Sequence, residues 1–219
     1  MRYDAVLLDA YGTLVELDDP FERLRDSVRR HIGADVELDD AERAFRAEMA
    51  HYSGHCHTAS DAESLAALRS DCAAIILAEL GLDAAPGAAD DMLSDAVVFR
   101  LLPDVEPLLA GLAEVRVPAA VVSNWDWSLR RTLAALGLEF EAIVTCGETG
   151  VRKPDPRVFL EALGRLGVAP ARALHVGDSV DTDAAGADAA GIDACIVDRA
   201  GETSGRDTIA SLTEVLELL

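Results

Sequence analysis

Residues Ala5-Val6-Leu7-Leu8 form an uninterrupted apolar run that stops at Asp9, with Gly12 and Thr13 following at once. Such a run suits a strand buried on both faces, the habit of interior strands in a parallel sheet. A carboxylate at the end of a buried strand is costly unless a partner meets it. In an open α/β sheet the carboxyl ends of the strands are also where ligands bind. Asp9 is therefore the first candidate for chemistry. The alternative is that it only caps a turn or the next helix.

The rest of the chain decides what surrounds that strand. From about Pro20 to Arg100 the apolar spacing is helical and no strand is predicted. Phe21, Leu24, Val28 and Ile32 share one face, and Gly33 stops the helix. A second helix starts near Asp39 or Asp40 and runs to about Tyr52. Ser60, with Glu63 as its capping-box partner, is expected to start a third that ends at Gly81. A fourth is expected over Ala88 to Phe99. From Val105 onward helices alternate with short apolar strands: Ala119–Ser123, Ala142–Thr145, Ala173–Val176 and Ala194–Val197. An amphipathic helix over Leu212–Leu218 closes the chain, and Gly201–Arg206 reads as a polar surface loop. Alternation of this kind implies right-handed crossovers and a mostly parallel sheet. The expected organisation is α/β, with residues 1–15 and 101–219 forming the sheet core and residues 16–100 an inserted helical subdomain.

Composition limits the partners. Half of the 219 residues are hydrophobic, enough for a sizeable core. No stretch approaches the ~20 apolar residues of a membrane span, and the start of the chain does not resemble a signal peptide. A net charge of −21 disfavours nucleic acid and anionic membrane as partners. A small-molecule substrate, a cytoplasmic setting and a monomer or homodimer are expected. Cys56, Cys72, Cys146 and Cys195 are scattered, which argues against a zinc site or disulfide framework and for inert thiols. Lys153 is the only lysine, every other cation being arginine. A lone lysine suggests a place where a compact ammonium fits and a planar guanidinium does not.

Each later strand ends in polar residues at the same sheet edge as Asp9. Ser123-Asn124 closes the second strand. Lys153 lies in the loop after the third, held between Val151-Arg152 and Pro154-Asp155-Pro156. Gly177-Asp178-Ser179 closes the fourth, followed by Asp181 and Asp183. The two prolines restrict where the lysine can reach.

Over nearly its whole length the chain resembles the haloacid dehalogenase superfamily of hydrolases. The stretch Asp9-Ala-Tyr-Gly-Thr13 matches its first motif, Ser123 its second, Lys153 its third, and Gly177-Asp178 with Asp183 its fourth. The resemblance implies a Rossmann-like core, with the helical block as a cap inserted after the first motif. It also implies a covalent aspartyl-enzyme mechanism with Asp9 as nucleophile. Thr13, Ser123 and Lys153 would assist, and Asp9, the Tyr11 main-chain carbonyl, Asp178 and Asp183 would form a Mg2+ site.

Two chemistries compete within the resemblance. The superfamily's phosphatases carry a second Asp two residues after the nucleophile as general acid and base; here that residue is Tyr11. Asp-Ala-Tyr-Gly-Thr looks like the metal-free 2-haloacid dehalogenases, whose halide leaves without a proton. Gly177-Asp178-Ser179 looks like the phosphatases, and clustered carboxylates near Asp9 call for a cation. The favoured reading is a Mg2+-dependent phosphatase acting on a small phosphorylated metabolite, restricted to good leaving groups by Tyr11. A 2-haloacid dehalogenase and a low-activity binding or regulatory protein are the alternatives. No arginine matches the dehalogenases' halide ligand, and Arg29 and Arg30 read as a solvated helix face.

Other residues stay open at this point. Asn124 orients substrate or serves a turn. His55 and His57 belong to a cap loop that reads substrate, or to an ordinary polar loop. Trp125 and Trp127 line a pocket, brace the cap or pack in the core. His175, inside a strand, reads as a core histidine.

Overall fold

The structure is a computed structural model, described here for residues 2–201 and 207–219. The predicted polar loop at Gly201–Arg206 falls, from residue 202 on, outside the described residues.

Strand β1 (Ala5–Leu8) is followed by a tight turn and a short strand β2 (Val15–Leu17). Four helices come next: α1 (Pro20–His31), α2 (Leu38–His55), α3 (Ala62–Leu80) and α4 (Pro86–Ala96). A short β3 (Phe99–Leu101) returns antiparallel to β2, with Val15 opposite Leu101 and Leu17 opposite Phe99. The alternating half then runs α5 (Val105–Val115), β4 (Ala119–Ser123), α6 (Leu129–Ala135), β5 (Ala142–Thr145), α7 (Cys146–Thr149) and α8 (Pro156–Leu166). It continues through β6 (Ala173–Gly177), α9 (Ala185–Ala190), β7 (Asp193–Val197), β8 (Thr208–Ile209) and α10 (Val215–Leu218). The main sheet has six strands in the order β5-β4-β1-β6-β7-β8, all parallel. No helix among the described residues is long and apolar enough to cross a membrane.

β1 shows why its sequence had to be apolar throughout. Successive side chains of a strand point to opposite faces, and here both faces are covered. Val6 and Leu8 pack with Leu108, Leu112 and Val215 on one side, while Leu7 packs with Phe159, Ala162 and Ala187 on the other. Truncating Leu7 to alanine would cost about 2–5 kcal/mol. The helices α1–α4 enclose a separate cluster that includes Leu24, Val28, Phe45, Leu68, Ile76 and Met92. Sulfur and aromatic neighbours extend it, with Cys72 inside and Trp127 packed on its flank.

Several expectations need correction. The N-cap of α3 is Asp61, not Ser60, and its capping box uses Ser64, not Glu63. Both candidate boxes have the same spacing, so register alone did not separate them. α4 stops at Ala96, and Phe99 belongs to a strand. That strand is only three residues long, and its partner β2 lies on the far side of the whole helical block. The helix expected from Asp183 begins as a π-turn, Val180–Ala184, before α9. The closing helix opens with a 3-10 turn, Leu212–Glu214.

Candidate active site

The turn after β1 delivers three candidate groups. The amides of Thr13, Leu14 and Val15 all converge on the Ala10 carbonyl, at 2.8–3.3 Å. Gly12 sits at φ +81°, a conformation that disfavours side chains, and a Cβ there would collide with the Asp178 carboxylate. Glycine is thus what lets the turn after the first strand lie directly beneath the acid that ends β6. Thr13 is fully buried, and its hydroxyl has no hydrogen-bond partner among the described residues.

Asp9 and Lys153 are only 6% and 5% exposed. Lys153 Nζ donates to Asp9 Oδ1 and to Asp183 Oδ1, both at 2.6 Å. The lysine's main chain is clamped in turn: Asn124 Oδ1 accepts from the Lys153 amide at 2.8 Å and Asn124 Nδ2 donates to its carbonyl at 3.1 Å. Ser123, also buried, ends the neighbouring strand β4. Asp9, Asp178 and Asp183 each place a carboxylate oxygen within 4.8 Å of the others. Among the described residues, this is the group of acids, histidines and cysteines close enough to share a metal ion.

Electrostatics separates the three acids. Burial pushes the Asp9 carboxyl up, opposed by Lys153. Burial also works against Asp183, but Lys153 and His175 outweigh it and hold that carboxyl well below the usual range. Lys153 loses from burial and gains more from its two carboxylates, so its ammonium is held charged. Asp178, exposed as a residue, forms no ion pair with a cation among the described residues. Desolvation of its carboxylate, with Asp9 and Asp183 close by, outweighs the more distant Lys153 and raises it to about 6.

His175 is the residue whose part the sequence concealed. It lies on β6 opposite Leu7 of β1, fully buried, with its ring edge-on to Phe159. Its Nε2 meets Asp183 Oδ1 at 2.8 Å, and a carboxylate can only accept, so the ring donates. The Ser179 amide donates to the other oxygen at 3.1 Å. Both Asp183 oxygens are therefore occupied by protein donors. Gly177 permits this packing, since a Cβ there would strike the Asp183 carboxylate. Asp126 was also not foreseen. Buried next to Ser123 and Asn124, it accepts from Tyr52 of the helical block at 2.6 Å and from the Ser128 amide at 2.7 Å.

Of the remaining predicted residues, the histidines, tryptophans and arginines fall outside this centre, while Tyr11 belongs by its main chain to the turn after Asp9. His55 is exposed, its Nδ1 2.8 Å from the His51 carbonyl, and its ring stacks on His51. His57 lies in the 3-10 turn Cys56–Thr58, with a buried Nδ1 that has no partner among the described residues. Tyr11 is 39% exposed, and burial of its hydroxyl, helped by Asp178 and Glu16, pushes the phenol above its ordinary value. Trp125 packs in the core against Phe99 at 4.8 Å. The Trp127 amide donates to the Ala59 carbonyl, so it braces the helical block. Arg29 and Arg30 are exposed and paired with Asp35 and Asp95. Arg199 supports the turn from outside: it donates to the carbonyls of Gly12 at 3.0 Å and Thr13 at 3.2 Å, and to Asp104 at 2.8 Å.

A parallel sheet with a buried carboxylate and lysine at its carboxyl edge, and a helical insertion just after the first strand, defines a class of α/β hydrolases. The chain belongs to the haloacid dehalogenase-like hydrolases, whose family model matches residues 3–191. It is 34% identical over 182 residues to haloacid dehalogenase-like hydrolase domain-containing protein 3 of Mus musculus, covering 78% of this chain and 72% of that one. It is 42% identical over 88 residues to the glyceraldehyde 3-phosphate phosphatase of Methanopyrus kandleri, a match to 39% of this chain and 38% of the relative. The crystal structure of a 2-haloacid dehalogenase from Pseudomonas syringae superposes over 99% of this chain and 97% of its own with a TM-score of 0.70 at 26% identity.

Proposed function

We propose that this hydrolase is a Mg2+-dependent phosphatase acting on a small phosphorylated metabolite through an aspartyl-phosphate on Asp9. The observation that carries the reading is Asp178. It brings a third carboxylate against Asp9 and Asp183 where a single lysine is available to balance them. A metal-free displacement of halide gains nothing from that acid, whereas a phosphatase uses it. The relative named as a phosphatase supports the same direction.

The residues present fit a hard divalent cation, which takes oxygen ligands. Asp9, Asp178 and the main-chain carbonyl of Tyr11 would hold it. Asp183 lies within reach, but its oxygens are already engaged by Lys153, His175 and the Ser179 amide. In this reading it anchors the lysine more than it ligates. When bound, the ion supplies positive charge to the phosphoryl oxygens.

Asp9 attacks phosphorus in line with the departing oxygen, forming the Asp9–phosphorus bond as the phosphorus–oxygen bond to the alcohol breaks. Lys153 holds Asp9 aimed and offsets charge on the transferred group. The unpartnered Thr13 hydroxyl and Ser123 donate to phosphoryl oxygens. Water then attacks the aspartyl-phosphate, returning Asp9 and releasing phosphate. A phenol held above its usual range is a poor proton donor, so Tyr11 restricts the enzyme to acyl, aryl or similarly good leaving groups. Residues 16–100 act as the cap over a core of residues 1–15 and 101–219, in a cytoplasmic enzyme.

The test is a pair of assays, on p-nitrophenyl phosphate and on 2-chloropropionate, each with Mg2+ and with EDTA. The reading expects phosphate release that EDTA abolishes. Chloride release indifferent to EDTA would overturn it in favour of the dehalogenase, the reading that Tyr11 at the second-acid position favours.

A further inference from the structure

Two thiols expected to be inert lie in contact across the boundary between the helical block and the sheet. Cys56 begins the 3-10 turn after α2, and Cys146 begins α7 after β5. Both are fully buried, and their sulfurs are 3.4 Å apart although 90 residues separate them in sequence. A disulfide bond is about 2.05 Å long, so the sulfurs need approach by only about 1.4 Å. The other two cysteines sit apart, Cys72 inside the helical cluster and Cys195 in the sheet core.

The surrounding contacts make this pair a seam. Cys146 Sγ donates to the Trp125 carbonyl at 3.3 Å, and Cys56 Sγ to the Asn124 carbonyl at 3.6 Å. The Trp127 amide donates to the Ala59 carbonyl at 3.1 Å, and a Cβ on Gly147 would strike that same carbonyl. The turn at residues 56–59 is thus seated on the loop after β4, the loop whose Asn124 clamps Lys153. Asp9 and Lys153 are both nearly sealed from solvent.

We propose that Cys56 and Cys146 form an oxidisable dithiol, which a peroxide-class oxidant converts to a disulfide that staples the helical block to the sheet and holds the site shut. The Cys56 thiolate attacks a peroxide oxygen, the O–O bond breaks, and a sulfenic acid forms with loss of one water. Cys146 sulfur then attacks the sulfenic sulfur, expelling a second water, so two thiols are oxidised as one peroxide is reduced. The order of attack follows the environment. The Sγ–Sγ contact with Cys146, aided by Arg152, holds the Cys56 thiol below its ordinary value, while Cys146 is raised by that contact and by burial. The inference concerns access and does not depend on which bond the enzyme hydrolyses.

The test uses the full reduced chain treated with hydrogen peroxide. The expected product is a cross-linked peptide pair containing Cys56 and Cys146, lighter by two hydrogens. Amide exchange at residues 54–60 and 124–128 slows on oxidation, and turnover of p-nitrophenyl phosphate falls by about tenfold or more. Dithiothreitol reverses all three, and Cys56→Ser and Cys146→Ser variants show none of them while retaining basal turnover. Sulfinic acid on either thiol without cross-linking, pairing with Cys72 or Cys195, or a cross-link that leaves exchange unchanged would overturn the proposal. Exchange and mass are read without turnover, so an inactive phosphatase assay leaves this test intact.

Discussion

Lys153 Nζ lies 2.6 Å from Asp9 Oδ1, with both side chains closed off from solvent and the same nitrogen shared with Asp183. Removing the ammonium leaves two carboxylates facing each other in a buried site. Lys153→Met should destabilise the protein by about 3–5 kcal/mol in urea unfolding. Asp9→Asn keeps a hydrogen-bond acceptor for the lysine, so it should fold while losing turnover by about a thousandfold or more.

His175 reaches the reaction only through Asp183. His175→Leu removes one of the donors that fix that carboxylate and should lower kcat by about 10–100-fold with KM changed far less. His175→Gln, which can donate from a similar position, should recover part of the loss. Equal effects on kcat and KM, or no recovery with Gln, would assign His175 to packing alone.

Asp178 gives a pH signature. In the metal-free protein it keeps its proton up to about 6, while the unfolded chain releases it near the ordinary carboxylate value. Between those values the folded state binds more protons, so this group's contribution to stability falls as pH rises through that window. On the phosphatase reading, Mg2+ must displace the same proton. Its apparent Kd, followed by calorimetry, should weaken progressively below pH 6 and level off above it.

On the phosphatase reading, Tyr11 restricts the leaving group. Tyr11→Asp places a carboxyl where the phenol stands and should raise turnover of an alkyl phosphate by about tenfold or more, with little gain on p-nitrophenyl phosphate. Parallel initial rates on the two substrates read the ratio directly. An unchanged ratio would show that proton donation does not limit this site.

The strands were legible because buried parallel strands are continuous apolar runs, and β4 and β5 fall on their predicted limits. Asp9, Lys153 and Asp178 were legible because polar residues at strand ends share one edge of the sheet. The β2–β3 pair was not, since three-residue strands carry too little periodicity and the partner lies beyond the helical block. The duties of His175, Asp126 and Asn124 were hidden for a different reason. Each depends on a side-chain partner distant in sequence, and His175 looked like any strand residue until the π-turn at 180–184 carried Asp183 back over it. The contact between Cys56 and Cys146 was invisible for the same cause.

Arg199 lies beyond residue 191, where the match to the family model ends, yet it grips the two carbonyls that follow Tyr11. Its other anchor, Asp104, also accepts from the Ser211 hydroxyl and the Leu212 amide. The tail of the chain therefore works as a tensioner on the loop that aims Asp9. Residues outside the strand-end motifs can therefore shift the setting of Asp9 while every motif residue stays in place.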